Sequence, residues 1–206
     1  MPRIATNSAE DELCEILLRT GSLKFGTFKL ASGILSSYYL DLRLIPSDPE
    51  AFRRTITFYS DTIAGKVKGS IDRLTGVPTA GIAIGAVLAF TLRKPFIYVR
   101  KETKEHGMTR RIEGFLRPGD RVLLLDDVIT TGSSILEAAE AIRAEGGVVE
   151  DAVVLLDRQQ GGEANLRKAG VKLHSFANMR RIADELLSRG TIEESQYREI
   201  VAQMQG

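Results

Sequence analysis

The sequence predicts an α/β protein built on an open sheet of five parallel strands, and three observations carry that reading. Five short runs, IDRLTGV, PFIYV, RVLLLDD, VVEDAVVLLD and VKLHSFA, are rich in β-branched residues and almost continuously apolar. That is the pattern of strands covered on both faces. Helical stretches over residues 81–93, 133–145 and 162–169 separate them, and strand alternating with helix requires crossovers between parallel strands. The third strand then runs abruptly into two charges and a string of small hydroxyl residues, LLLDDVITTGSS at 123–134. In open parallel sheets, ligands bind beyond the carboxyl ends of the strands.

The remaining elements follow in order. Ser8 with Glu10 and Asp11 reads as a helix start, and Leu13, Ile16 and Leu17 give that helix an apolar face to about Arg19. FGTFKLASGILSSYYLDLRLI, residues 25–45, reads as short strands joined at Ser32-Gly33. From Pro49 to about Lys68 a helix is marked by Phe52, Ile56, Ile63 and Val67. The tail after Met179 reads as two helices broken at Gly190, with Asn178 as the cap of the first. The chain divides into an N-terminal segment, 1–45, and an α/β core with its C-terminal helices, 46–206, acting as one functional unit.

Composition excludes several classes. Hydrophobic residues make up 43% of the 206 and charged residues 27%, as in ordinary globular proteins. With 28 Lys and Arg against 27 Asp and Glu, no global field draws the chain to nucleic acid or to a membrane surface. The longest apolar run, GIAIGAVLAF, is too short and too glycine-rich to span a bilayer. The N-terminus turns acidic too early for a secretory signal, so a cytoplasmic protein is expected. Cys14 is the one cysteine; it allows no intrachain disulfide and sits in a helical pattern as a buried, inert thiol.

Asp126 and Asp127 end a strand on the ligand edge. Successive side chains on a strand face opposite ways, so the pair is expected to bind hydroxyls or help organise a cation rather than share a proton. Thr130, Thr131, Gly132, Ser133 and Ser134 open the next helix, where converging backbone N–H groups favour an anion. Acids for sugar hydroxyls beside a nest for phosphate describe a ribose-phosphate pocket. The bland alternative is a strand-to-helix turn capped by Asp and Ser. His174, on an apolar strand, reads as a satisfied core residue. Gly81 fits either helix packing or pyrophosphate contact, and Gly85 fits packing.

LLLDDVITTGSS resembles the phosphoribosyl-pyrophosphate signature of the type I phosphoribosyltransferases. The resemblance implies a five-stranded parallel core with a small N-terminal hood and a Mg²⁺-dependent reaction. A second motif narrows it: RKETKEHG, from Arg100, is similar to the mobile catalytic loop of orotate phosphoribosyltransferases. By that resemblance Arg100, Lys101, Lys104 and His106 bind pyrophosphate, alongside Asp126, Asp127, Val128, Ile129 and residues 130–134. Lys104, His106, Asp126 and Asp127 take the catalytic roles. Thr130 and Arg158 match the orotate-binding positions, and residues 28–43 resemble the hood segment that completes the orotate pocket. The family's metal is bridged by substrate oxygens rather than held by protein alone, and its lid serves a neighbouring subunit, which implies a homodimer with shared active sites. The chain departs from many members at Ala31 and at Thr79-Ala80, where they carry lysines or Tyr-Lys.

Chemistry agrees with that assignment. Pyrophosphate leaving from C1 of the ribose develops negative charge that lid cations can stabilise. Orotate carries a carboxylate that uracil lacks, so its pocket needs a cation or backbone donors, and Arg158 supplies such a cation. A purine or uracil phosphoribosyltransferase would keep 123–134 without needing RKETKEHG or Arg158. A nucleic-acid-binding regulator could use the last two helices, but Glu193, Glu194 and Glu199 on the second would repel phosphates.

Overall fold

The computed structural model describes residues 8–29, 35–100 and 111–204. Helix α1 (Ala9–Arg19) starts as anticipated, with a capping box in which Ser8 Oγ accepts from the Asp11 N–H and the Asp11 carboxylate accepts from the Ser8 N–H. Each partner satisfies a helix-end donor that would otherwise be orphaned. Strands β1 (Leu23–Lys29) and β2 (Leu35–Leu40) form an antiparallel hairpin. The join expected at Ser32-Gly33 lies outside the described residues.

The strand expected to continue to Ile45 ends sooner. Leu42–Ser47 is a 3-10 helix, because Asp41 accepts from the Arg43 N–H at 3.2 Å and grips the Arg43 guanidinium at 2.6 Å. That local bonding offers the backbone an alternative to a ladder. Helix α2 (Pro49–Lys66) follows, with Asp48 capping the Ala51 N–H and Pro49 in the first turn, where its missing N–H costs nothing.

The central sheet contains β3 (Arg73–Gly76), β4 (Phe96–Val99), β5 (Ile112–Glu113), β6 (Val122–Ile129), β7 (Asp151–Asp157) and β8 (Lys172–Asn178), in the spatial order β5-β4-β3-β6-β7-β8. The five expected strands are the parallel ones. A sixth corrects the count: β5 forms the edge of the sheet, paired antiparallel with β4 through Tyr98–Glu113 and Val99–Ile112. At two residues it is too short to leave a periodic signal. Helices α3 (Ala80–Leu92), α4 (Ser133–Ala144), α5 (Gly162–Lys168), α6 (Met179–Ser188) and α7 (Glu194–Ala202) complete the chain.

The sheet separates two cores. Leu123, Leu125, Val153 and Leu155 face α1, α2, α3 and α6, whereas Val122, Leu124, Ala152 and Val154 face α4 and α5. This alternation is the period-2 geometry of a strand buried on both sides. Phe58 of α2 stacks on Phe176 of β8 with centroids 4.3 Å apart, and burying such a ring is worth roughly 1.5–3 kcal/mol. His174 is buried with Nε2 2.7 Å from Asp151 Oδ1, the satisfied core residue that was expected. Asn178 caps α6 through the Arg181 N–H. Cys14 is buried and its thiol is pushed up to about 12 by desolvation, so it is protonated and unreactive near neutrality.

The strand order positions the site. After β3 the chain crosses to β4 on one side, then returns to β6 on the other. The reversal leaves a crevice between the carboxyl ends of β3 and β6, and such switch points are where open sheets bind ligands.

Candidate active site

The β3 side of the crevice is the loop Val77–Thr79 leading into α3. The Val77 N–H donates to the Leu125 carbonyl at 2.8 Å, tying the loop to β6. A side chain at Gly76 would lie 2.1 Å from the Gly81 carbonyl, and one at Gly81 would lie 2.4 Å from the Leu125 carbonyl and 3.3 Å from Asp126 Cα. Gly85 would meet Phe96 at 2.7 Å. These glycines bring α3 against the sheet directly beneath Asp126, so close packing is a reason for Gly81 as well as for Gly85.

On the β6 side, Asp126, Val128, Ile129, Thr130, Thr131, Gly132, Ser133 and Ser134 line a depression of about 130 Å³ with Ile135. The whole hydroxyl-rich stretch singled out from the sequence therefore surrounds one small polar cup. Gly132 has φ 83° and caps α4 without any side-chain cap bond, so no cap side chain occupies the helix-start N–H groups beside the cup. A Cβ at Gly132 would lie 2.4 Å from Leu166 Cδ1, and one at Gly162 would lie 2.7 Å from the Thr130 carbonyl. Asn165 Nδ2 donates to the Thr131 carbonyl at 3.0 Å. The loop is thus wedged between α4 and α5.

Each of the two aspartates is anchored to the backbone of its own strand. Asp126 is buried, and its Oδ1 accepts from the Asp127 N–H at 3.0 Å; Asp127 Oδ1 accepts from the Val128 N–H at 2.8 Å. Burial pushes the Asp127 carboxyl up from its ordinary range, against the opposing pull of a side-chain hydrogen bond with Asp126 and of the Val128 N–H. The two side chains nonetheless open onto different depressions, as alternation along β6 expects. Asp127 also lines a cavity of about 280 Å³ with Leu42, Arg43, Phe52, Thr79 and Ile84. Among the described residues no three His, Cys, Asp or Glu side chains cluster to hold a metal.

Arg158 follows the end of β7, beside the cup. Its N–H donates to the Ile129 carbonyl at 3.0 Å, fixing it to the end of β6. Its Nε donates to the Tyr38 hydroxyl at 3.1 Å, and its guanidinium lies 5.0 Å from the centroid of the Tyr38 ring. The hood segment and the candidate base-binding arginine therefore meet. Asp157, adjacent and buried, is pushed up by desolvation, with the Gln159 N–H on its Oδ1 as a partial offset.

Of the lid residues, Lys101, Lys104 and His106 lie outside the described residues. Arg100 is described: its N–H donates to the Arg111 carbonyl at 2.8 Å and its guanidinium meets Glu113 at 3.4 Å. The segment between thus leaves and rejoins the sheet at neighbouring points.

Sequence reasoning missed Tyr59 and Asn165. Tyr59, fully buried on α2, donates to the Asp126 carbonyl at 2.6 Å and accepts from the Leu155 N–H at 3.1 Å. The available signal was a tyrosine on an apolar helix face, whose hydroxyl must find a partner. Asn165 gave none, since an exposed amide in a short helix looks like any surface residue.

The switch-point crevice, the hydroxyl cup and the paired acids define a class, and comparison agrees: a phosphoribosyl transferase domain model matches residues 48–175. The chain belongs to the orotate phosphoribosyltransferase family. The orotate phosphoribosyltransferase of Pyrobaculum islandicum is 43% identical over 190 residues, covering 92% of this chain and 96% of the relative. That of Caenorhabditis elegans is 38% identical, covering 95% and 86%. Among solved structures, the Aeropyrum pernix orotate phosphoribosyltransferase superposes with a TM-score of 0.78 at 35% identity, covering 88% of this chain and 99% of that one. The Leishmania donovani UMP synthase superposes at 0.84 and 30% identity over 97% of this chain, which spans 43% of that longer protein.

Proposed function

We propose that the protein transfers the phosphoribosyl group of phosphoribosyl pyrophosphate to orotate, giving orotidine 5′-monophosphate and pyrophosphate in pyrimidine (UMP) synthesis. The observation that carries this reading is the convergence, on one sheet edge, of a helix-start phosphate cup and an arginine backed by the hood. Orotate N1 bonds to C1 of the ribose as the C1–oxygen bond to pyrophosphate breaks, and pyrophosphate takes the electron pair.

Residues 130–134 hold the 5′-phosphate through backbone N–H groups and hydroxyls. Asp126 and Asp127 accept from the ribose hydroxyls. Thr130 and Arg158 bind orotate, with the guanidinium on its carboxylate. Arg100, Lys101, Lys104 and His106 gather on the leaving pyrophosphate; Arg100 exchanges Glu113 for it. Mg²⁺ fits here as a cation bound mostly by substrate oxygens, since a pair of carboxylates and no protein cage is what that ion commonly uses; when bound it neutralises pyrophosphate charge. The catalytic task left to the protein is positioning and charge stabilisation.

The protein works in the cytoplasm, with residues 1–45 as a hood over the 46–206 core and two subunits sharing their sites. Among the described residues no helix is long and apolar enough to cross a membrane. Phe90 and Phe115 are 88% and 74% exposed and Tyr98 is also exposed, on α3 and on either side of the lid; apolar exposure of that kind fits a protein interface. The test is a substrate panel: purified protein, Mg²⁺ and phosphoribosyl pyrophosphate with orotate, uracil, hypoxanthine or adenine. Selective consumption of orotate is expected, and consumption of another base instead overturns the role given to Arg158.

A further inference from the structure

We propose that Tyr38 is a positioning residue that sets base selectivity by holding Arg158 with only its two terminal nitrogens available to a ligand carboxylate. The proposal rests on the functional reading above and adds to it a residue that touches Arg158 rather than the reacting atoms.

The geometry is specific. Tyr38 is 1% exposed, so its ring is fixed by packing. Its hydroxyl accepts the Nε–H of Arg158 at 3.1 Å while its ring underlies the guanidinium at 5.0 Å. A guanidinium can meet a carboxylate side-on, through Nε and one terminal nitrogen, or end-on, through both terminal nitrogens. With Nε taken, the end-on fork remains. Among the described residues no other hydrogen bond or ion pair engages that guanidinium. Bidentate pairing to a planar carboxylate is the recognition such a fork performs.

Confinement matters energetically. A free arginine side chain loses rotamer freedom when it binds, at a cost that falls when the bound orientation is already held. Here the orientation is held from three sides. The Arg158 N–H is on the Ile129 carbonyl. Ser36 Oγ lies 2.7 Å from the Tyr38 carbonyl, to which it donates, and 2.9 Å from the Gln203 side-chain amide. Gln160 Nε2 donates to the Gln203 carbonyl at 2.8 Å. Gln203, just past α7, thus pins the strand of Tyr38 and the loop of Arg158 to the same residue.

Uracil offers no carboxylate, so a held fork discriminates against it twice: it forms no pair, and it leaves the confined cation covered without a partner. The experiment compares wild type, Tyr38→Phe, Arg158→Ala and the double variant in steady-state kinetics with both substrates. Tyr38→Phe keeps the ring and removes the Nε acceptor. Expected is a rise of about tenfold in the KM for orotate, the size of one hydrogen bond to a charged group. The kcat and the KM for phosphoribosyl pyrophosphate stay within about twofold, and the preference for orotate over uracil falls by about the same tenfold. In the Arg158→Ala background Tyr38→Phe adds almost nothing, because the side chain it positions is gone.

Equal increases in both KM values mean general damage and overturn the proposal, as does multiplication of the two effects in the double variant. A wild-type protein that prefers uracil overturns the functional reading and this proposal with it. Orotate turnover with an unmoved Tyr38→Phe overturns the proposal alone.

Discussion

The proposed phosphate side and the proposed base side of the crevice are built by opposite means. The phosphate cup comes from one local stretch, Asp126 and Val128 to Ile135, and it relies on backbone groups brought forward by Gly132 and by the close approach at Gly162. The base side is assembled from Tyr38 and Arg158, side chains 120 residues apart in sequence. A backbone site depends on there being nothing in the way; a side-chain site depends on something being present and aimed. The first is conserved in shape by packing, while the second can be retuned one residue at a time.

Substitutions can sharpen that contrast. The largest effect is expected from the lid that serves both sides: Lys104→Ala should lower kcat by about 10²–10³-fold, the scale of losing one group that stabilises transition-state charge. The melting temperature should stay unchanged, and an unaltered rate would remove the lid from the mechanism. Next come Gly132→Ala and Arg158→Ala, one from each side. Arg158→Ala should reduce kcat/KM for orotate by roughly 10²-fold, as for loss of one partner in a buried charge pair, with normal thermal stability. Gly132→Ala forces a Cβ to 2.4 Å from Leu166 at φ 83°, and should weaken phosphoribosyl pyrophosphate binding and lower the melting temperature together. If the two variants behaved alike, the contrast between backbone and side-chain construction would collapse.

Smaller and purely structural, Tyr59→Phe leaves the Asp126 carbonyl and Leu155 N–H without that hydroxyl, at a cost of about 1–3 kcal/mol measurable by urea denaturation. The smallest effect is pH-dependent. Burial raises the Asp127 carboxyl above its ordinary value of 3.8, so ionising it costs more in the folded than in the unfolded state. Its contribution to stability is full below the unfolded value and is lost as pH rises through the folded one. Asp127→Asn, which cannot ionise, should therefore gain stability relative to wild type as pH rises through that window and show little difference below it. Parallel thermal melts at acid and neutral pH would show it, and a constant offset across pH would mean that the charge does not matter.

The sheet was legible because buried strands and amphipathic helices leave periodic marks. All five parallel strands and the helices between them fall within a few residues of where hydrophobic pattern puts them. The two-residue β5 and the 3-10 helix at Leu42–Ser47 left no such mark: one is too short, and the other is decided by a local Asp41–Arg43 contact that overrides alternation. The cup was legible for the same reason that it is contiguous. The aspartates were legible because two charges interrupt an apolar strand, and alternation along β6 turns them to different depressions. Arg158 stood out through its resemblance to a family position, whereas its partner Tyr38 looked like one more aromatic in a hairpin. Nothing local in sequence announces a contact across 120 residues.

Tyr59 connects these observations. Its one hydroxyl touches the strand that carries the acids and the strand that leads to the arginine, and it is buried within the core on a helix packed against the sheet. The spacing between the proposed sugar and base sites is therefore gauged from within the core. A drift in how α2 sits, produced by any core substitution beneath it, would reach the reacting groups as a change in the gap between two strands. Distant repacking, with every ligand-contacting residue intact, is thus a route by which this enzyme's catalytic alignment can be detuned or restored.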